Sequence, residues 1–204
     1  MTTILLIRHG ENDFMRQHKL AGWLPGIHLN ARGLAQAEAL VPMLESLSLE
    51  AIYASPLERA VETAAPLARA RRLPVRRRAG LGEILYGSWQ GRPLASLRRL
   101  KLWAQVQAAP SLVTIPEGES FRGAQTRMIV EIERLRQLHR GAIACFSHAD
   151  PIKLALSFYL GQPLDLFQRL MIDPASVSTL TFVDGRVRVP AINDTRATRS
   201  GGSG

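Results

Sequence analysis

Three short apolar runs of this chain each lead into residues that suit the binding or transfer of a phosphate group. The first run ends at Arg8 and His9. The second run lies a few residues before Arg59, and the third is followed closely by His148. Arginine makes forked contacts with phosphate oxygens, and histidine is a nucleophile near neutral pH. These residue types therefore predict phosphoryl transfer through a histidine.

The elements that must position these side chains are interpreted as parallel β-strands. The runs at residues 4–7, 51–54 and 142–146 are short and apolar, and helical periodicity follows them. Strands that alternate with helices predict an α/β fold, here a three-layer α/β/α sandwich with a mainly parallel mixed sheet and helices on both faces. Because the carboxyl ends of parallel strands open on one edge, the arginines and histidines are predicted to converge on one anion.

Length and composition predict one domain. The chain has 204 residues, 46% of them hydrophobic, which is enough to bury a core. We expect this domain to span residues 1–196, and we expect residues 197–204, which end in Ser-Gly-Gly-Ser-Gly, to be a flexible tail. The lone cysteine excludes an internal disulfide framework and favours a reducing, cytoplasmic location. No apolar stretch has the length of a membrane span, so no membrane partner is expected.

The net charge of +9 is concentrated in a basic segment. Its arginines are Arg69, Arg71, Arg72, Arg76, Arg77 and Arg78. A basic face can bind nucleic acid, steer anionic substrates or simply be solvated. A solvated surface is favoured and nucleic acid is not expected, because no aromatic residues interleave with these arginines. No group of Cys, His and carboxylate residues has metal-site spacing, so neither a metal nor another cofactor is expected.

A longer series of motifs resembles the histidine phosphatase superfamily, which includes cofactor-dependent phosphoglycerate mutases and many small phosphatases. The matching motifs follow in order over nearly the whole chain: Arg8-His9-Gly10-Glu11, Ser55-Pro56-Leu57 with Arg59, Leu81-Gly82-Glu83, Glu117-Gly118-Glu119-Ser120 and Ser147-His148. The resemblance implies a phosphoglycerate mutase-like fold and a place in the phosphatase branch of the superfamily.

The resemblance also implies a role for each catalytic candidate. His9 would attack phosphorus and form a phosphohistidine that water hydrolyses. Arg8, Arg59 and His148 would hold the non-bridging oxygens, and His148 would do so best when protonated by the influence of a bound anion. Glu83 would protonate the leaving oxygen and then act as base toward water. A loop carboxylate paired with a nearby arginine is the alternative interpretation of Glu83.

Several positions depart from the family pattern near the expected substrate contacts, which are Asn12, Ala21, Gly22 and Asp150. Asn12 stands where the family usually has Ser or Thr and can still donate a hydrogen bond. Met15 replaces a frequent asparagine, and Ala21 stands where mutases carry a hydroxyl residue. Asp150 is interpreted either as a second proton donor or, preferably, as the N-cap of the helix that follows it.

The reaction expected is hydrolysis of a small phosphorylated metabolite. A mutase must protect its phosphorylated intermediate from water, which favours a long basic lid, whereas only a small cap segment of about 92–116 is available here. The mutase-like basic cluster is not matched residue by residue. A cofactor-dependent phosphoglycerate mutase and a non-catalytic phospho-ligand binding module are the alternatives. The expected partner is a small-molecule phosphate ester, and a homodimer is left open.

Overall fold

Six β-strands form one mixed sheet in the computed structural model, which describes residues 1–199. They are β1 (Thr2–Arg8), β2 (Leu49–Ala54), β3 (Val75–Arg77), β4 (Ala142–Ser147), β5 (Val177–Val183) and β6 (Arg186–Asp194). Their order in the sheet is β3-β2-β4-β1-β5-β6. The β2–β3, β2–β4 and β1–β4 pairs are parallel, and the two pairs made by β5 are antiparallel. The predicted mainly parallel mixed sheet is confirmed.

Helices connect the strands and cover the sheet. The α-helices are α1 (Asp13–Arg16), α2 (Ala31–Met43), α3 (Glu58–Arg71), α4 (Leu94–Leu97), α5 (Lys101–Ala108), α6 (Phe121–Leu138), α7 (Ala149–Tyr159) and α8 (Arg196–Arg199). Short 3-10 helices occupy Ala79–Leu81, Gly87–Trp89, Pro110–Leu112 and Leu164–Arg169. The site described below lies where these connections leave the carboxyl ends of the parallel strands.

The central strand β1 shows why the sheet is covered on both faces. Ile4 and Leu6 pack in a buried cluster with apolar residues of α6 and α7. Leu5 and Ile7, which alternate with them, pack with apolar residues of α2 and α3. Because successive side chains of a strand point to opposite faces, an unbroken apolar run requires a helix layer on each side. The predicted α/β/α sandwich is therefore confirmed.

The segment of residues 92–116, predicted as a small cap, folds as short helices rather than one long one. The sequence predicts a helix from Leu94 to about Val106, but Leu100 has an extended backbone with ψ 136° and separates α4 from α5. Leu97 and Val106 pack in a third buried cluster, which also contains Trp89 of the preceding 3-10 helix. The description of this segment as a cap stays a prediction.

The end of the chain differs in part from the expected tail. Residues 197–199 belong to α8, and Ala197 is buried in the cluster on the α2 face of the sheet. The rest of the expected tail, residues 200–204, lies outside the described residues. Within residues 1–199, no helix combines the length and the apolar character that a membrane crossing needs. The same residues contain no group of three or more His, Cys, Asp or Glu side chains placed to hold a metal ion.

Candidate active site

A cavity of about 400 Å³ opens beside the carboxyl end of β1. The predicted site residues that line it are Arg8, His9, Asn12, Ala21, Arg59, Glu83 and Asp150. His148 is fully buried, with its ring centroid 5.1 Å from that of His9. Gly22 does not line the cavity but accepts a hydrogen bond from Arg59. The fold thus brings together residues that are far apart in the sequence.

His9 is held in a state suited to nucleophilic attack. Its Nδ1 lies 2.7 Å from the carbonyl oxygen of Gly10, so Nδ1 carries the ring proton and Nε2 keeps its lone pair. Burial, together with the positive charges of Arg59 and Arg8, lowers the pKa of His9 well below its ordinary value. His9 is therefore neutral near pH 7, and its free nitrogen is available to form a bond.

Gly10 allows the backbone after His9 to pass close to the start of α2. A Cβ atom at Gly10 would lie 2.7 Å from the carbonyl oxygen of Gly33, closer than real contacts allow. The Gly10 N–H donates to Oγ1 of Thr63, whose hydroxyl donates to the carbonyl oxygen of Arg59. Thr63 therefore links the backbone after β1, at Gly10, to the backbone of α3, at Arg59.

The two arginines of the site, the partly buried Arg8 and the fully buried Arg59, are each anchored by a backbone carbonyl. Arg8 donates from Nη1 to the Ile172 oxygen at 2.6 Å, and its Nη2 lies 3.6 Å from Sδ of Met15. Arg59, which is only 1% exposed, donates from Nη2 to the Gly22 oxygen at 2.8 Å. Burial lowers the pKa of both guanidinium groups, but arginine stays charged in proteins. The site therefore holds two fixed cations.

His148 contacts the site from its fully buried position. Its Nε2 lies 2.8 Å from Oγ of Ser55, while its Nδ1 has no hydrogen-bond partner and lies 3.8 Å from Oε2 of Glu83. Burial and the charge of Arg59 lower the pKa of His148 well below its ordinary value. The ring is therefore neutral here, and the protonated form favoured from the sequence requires a bound anion.

Buried nitrogen atoms without a hydrogen-bond partner cluster at this site. Those at the site are Nε of Arg8, Nδ2 of Asn12, Nε and Nη1 of Arg59 and Nδ1 of His148; one more buried nitrogen without a hydrogen-bond partner in the described chain, Nε of Arg78, lies elsewhere. The other side-chain atom of Asn12, Oδ1, is already used because it caps α1 by accepting from the Met15 N–H. A buried donor without a partner costs about 1–3 kcal/mol, more when it is charged. An oxyanion with several acceptor oxygens would satisfy the donors on Arg8, Asn12 and Arg59 together, and Nδ1 of His148 when it carries a proton.

Glu83 has the protonation behaviour of a general acid and base. Burial and the negative charge of Asp150 raise its pKa to about 7, against the opposing effect of Arg59. Its Oε1 accepts from the Ile84 N–H at 2.9 Å. Among the side chains of residues 1–197 no arginine lies at ion-pair distance from its carboxylate, so the geometry favours the acid–base interpretation over a structural ion pair. Such a group exchanges protons readily near neutral pH.

The structure corrects the preferred interpretation of Asp150. The N-cap of α7 is His148, and Asp150 is the second residue inside the helix, so the prediction of an Asp150 N-cap is wrong. Its Oδ2 accepts from the Tyr86 hydroxyl at 2.6 Å, and its Oδ1 lies 3.3 Å from Nζ of Lys153. The helix begins earlier than predicted because the extended backbone ends at His148. Asp150 instead places a carboxylate in the cavity, where its charge acts on Glu83.

The two loop residues expected to contact substrate behave differently. Ala21 lines the cavity, whereas Gly22 acts on the site through its carbonyl oxygen, which anchors Arg59. Gly22 has φ +54°, and a Cβ there would lie 2.4 Å from Oε1 of Gln90. That same Oε1 accepts from the Trp23 N–H, so Gln90 fixes this loop. Gly22 is therefore required by the backbone path rather than by contact with the cavity.

Sequence reasoning missed several residues that line the cavity. They include Lys19, Tyr86, Gln107, Lys153 and Gln168. Helical spacing could have indicated Lys153, because residues three apart share a face and Lys153 follows Asp150 by three. Gln107 and Gln168 come from α5 and a 3-10 helix that meet only in the folded chain, so no local pattern marks them.

The amino-acid sequence is similar to those of several known proteins. A bifunctional protein of Mycobacterium tuberculosis is 32% identical over 203 residues, which cover 95% of this chain and 54% of that protein. The chain thus spans about half the length of its first mycobacterial relatives. Phosphoserine phosphatase 1 of Hydrogenobacter thermophilus is 28% identical over 201 residues, covering 96% of this chain and 93% of that enzyme.

The fold is similar to that of a solved structure, and the sequence matches the pattern of one family. The structure of Bacillus stearothermophilus YhfR superimposes with a TM-score of 0.90 at 27% identity, covering 97% of this chain and 99% of that one. The sequence pattern of the histidine phosphatase superfamily, branch 1, matches residues 4–195. This match spans most of the chain and includes every residue placed at the cavity above. The chain therefore belongs to the histidine phosphatase superfamily, branch 1.

Proposed function

We propose that this protein is a phosphomonoesterase that hydrolyses a small phosphorylated metabolite through a phosphohistidine intermediate at His9. The observation that carries the proposal is the set of unpartnered buried nitrogen atoms on Arg8, Asn12, Arg59 and His148 around the neutral His9. Their number suits the three non-bridging oxygens of a phosphate monoester. Family membership supports the same conclusion.

The first step is transfer of the phosphoryl group to the protein. The Nε2 lone pair of His9 forms the N–P bond while the ester P–O bond breaks. Glu83 in its protonated form gives its proton to the leaving oxygen, so an alcohol departs. Arg8 and Arg59 keep their contacts with the non-bridging oxygens as charge redistributes, which lowers the barrier.

The second step is hydrolysis of the phosphohistidine. Glu83 is now a carboxylate and takes a proton from water, whose oxygen forms the new P–O bond. The N–P bond breaks, its electron pair returns to Nε2 of His9, and inorganic phosphate leaves. A carboxyl group with a pKa of about 7 can serve both steps, because it gains and loses protons with similar ease near neutral pH.

The proposal includes a metal-independent reaction, a cytoplasmic location and a small phosphate ester as the partner. The two arginines supply the positive charge that a metal ion supplies in other phosphoryl-transfer sites. The lone Cys145 is buried in the core, which fits a reducing compartment. A relative named as a phosphoserine phosphatase makes phosphoserine a first substrate to test.

A phosphate-release panel with phosphoserine, phosphoglycerates, sugar phosphates and nucleotides tests the function. We expect release from at least one ester in the presence of a chelator, and covalent label on His9 after rapid acid-free quenching with a labelled substrate. Isomerisation of 3-phosphoglycerate primed by 2,3-bisphosphoglycerate, without net phosphate release, would instead establish the mutase alternative. Tight binding of the esters with no turnover of any would establish the binding module.

A further inference from the structure

Arg127 of α6 does not line the cavity, yet its guanidinium holds the loop that carries Glu83. Its Nη1 donates to the carbonyl oxygens of Ala79 at 3.3 Å, Gly80 at 3.0 Å and Gly82 at 3.1 Å. Its Nη2 donates to the carbonyl oxygen of Glu83 at 3.1 Å. One side chain thus contacts four carbonyl groups within five successive residues.

Glu119 orients this guanidinium and fastens the loop on the other side of Glu83. Its Oε1 lies 2.7 Å from Nη2 of Arg127 and also accepts from the Leu85 N–H at 3.0 Å. The backbone N–H of Glu119 donates to the Leu85 carbonyl oxygen at 2.9 Å. Arg127 and Glu119 therefore form a clamp on both sides of Glu83, and the side chains of both are mostly shielded from water.

Trp23 adds a third contact to the same loop. Its indole Nε1 donates to the Glu83 carbonyl oxygen, which therefore accepts from two donors. A Cβ at Gly82 would lie 2.2 Å from the Trp23 ring, so the loop packs directly on the indole. The Glu83 carboxylate has one backbone hydrogen bond of its own, from Ile84. The direction of the carboxylate consequently depends on how firmly the backbone around it is held.

We propose that Arg127, oriented by Glu119, is a positioning residue for the proton donor Glu83 and thereby favours the departure of poor leaving groups. The proposal rests on the proposed phosphatase function. A planar guanidinium can satisfy several carbonyl oxygens at once, whereas an ammonium or thioether cannot reproduce this fork. A displacement of about 1 Å in a catalytic group is enough to reduce a rate by about a hundredfold.

The test compares an alkyl phosphate with 2,4-dinitrophenyl phosphate, whose leaving group departs without a proton. We expect Arg127→Met to lower kcat/KM for the alkyl ester by about 30- to 100-fold and for the dinitrophenyl ester by less than about threefold. Arg134→Met is the matched control, since Arg134 lies on the same helix and pairs with Glu131. This control should leave both values within about twofold of the wild type.

A double-mutant cycle separates positioning from a structural role. In a Glu83→Gln background the proton donor is already lost, so adding Arg127→Met should lower the alkyl-ester kcat/KM by less than about threefold. Arg127→Lys keeps the positive charge, and Glu119→Gln keeps a side-chain oxygen that can accept hydrogen bonds. Both variants should lower kcat/KM less than Arg127→Met does, with the same dependence on the leaving group. These milder variants decide the question if Arg127→Met does not fold, as judged by its circular dichroism and thermal midpoint.

Each negative result identifies which proposal fails. Equal losses for the two esters, or an undiminished effect of the Arg127 substitution in the Glu83→Gln background, would show that Arg127 has only a structural role. A wild-type protein that releases phosphate from neither of these esters and from no ester of the substrate panel refutes the proposed function itself. Wild-type turnover with an unchanged ratio between the esters in the Arg127 variants refutes the positioning role alone.

Discussion

The part of the cavity proposed to bind phosphate, here called the phosphate end (Arg8, His9 and Arg59), and the part proposed to bind the leaving group, here called the leaving-group end (Glu83), are held by different kinds of contact. Arg8 ends strand β1, His9 follows it, and Arg59 lies in the first turn of α3, so strand register and a helix start fix their backbones. Glu83 lies in an irregular loop whose carbonyl oxygen is held by Trp23 and Arg127 from other parts of the chain. Loss of a distant contact should therefore disturb proton donation more than phosphate binding.

This comparison gives a simple expectation for substitutions. A change at the phosphate end should slow every ester by a similar factor, because the transferred group is the same in each. A change at the leaving-group end should slow alkyl esters more than activated aryl esters, because only the former need a proton.

The largest loss is expected for His9→Ala. The nucleophile is removed, so kcat/KM should fall by about 10⁴-fold or more for alkyl and aryl esters alike. Phosphate release by the purified variant measures this, and circular dichroism checks that the fold is intact. Near-normal turnover of either ester would exclude His9 as the nucleophile.

The second largest loss is expected for Arg59→Met, which should lower kcat/KM by about 10²- to 10³-fold for both classes of ester. Its guanidinium is 1% exposed and has two unpartnered nitrogen atoms, so its removal also removes a desolvation cost. We therefore expect the thermal midpoint of the ligand-free variant not to fall. A clear loss of thermal stability with little loss of activity would show that Arg59 stabilises the fold and does not bind phosphate.

Glu83→Gln should lower kcat/KM much more for alkyl esters than for activated aryl esters. We expect kcat/KM to fall by about 10²- to 10³-fold for an alkyl phosphate and by less than about threefold for 2,4-dinitrophenyl phosphate. The value of kcat/KM is the right measure because it reports steps up to departure of the leaving group, before water attacks the phosphohistidine. Equal losses for the two esters would count against a proton donor at this position.

The smallest effect is expected in the pH dependence of the Asp150→Asn variant. Glu83 must be protonated to act as an acid, so kcat/KM for an alkyl ester should fall above about pH 7 in the wild type. Because the negative charge of Asp150 raises the pKa of Glu83, its removal should move this fall to lower pH. The dinitrophenyl ester should show no such fall with either protein. An alkaline limb that stays in place or moves upward would contradict the coupling.

Much of the fold and the phosphate end were predictable because their signals are local. The apolar runs that form β1, β2 and β4 have the length and composition of buried strands, because strands covered by helices on both faces are apolar at successive positions. The loop around Glu83 was identified through the Leu81-Gly82-Glu83 motif of the family. Nothing local predicted its contacts with Trp23 and Arg127, since these join segments more than forty residues apart.

Hydrophobic periodicity and the order of the motifs were enough to predict the buried strands, the residues at their carboxyl ends and the family, because both are properties of the local sequence. The tertiary structure was needed to show that His148 is the N-cap residue of α7, that Asp150 accepts from Tyr86 and that the Gly22 carbonyl anchors Arg59. It also decided the protonation states, because the pKa of a histidine or glutamate depends on burial and on charges brought near by folding. The physical reason is the same throughout: local patterns specify backbone elements, whereas the environment of a side chain is set by residues distant in sequence.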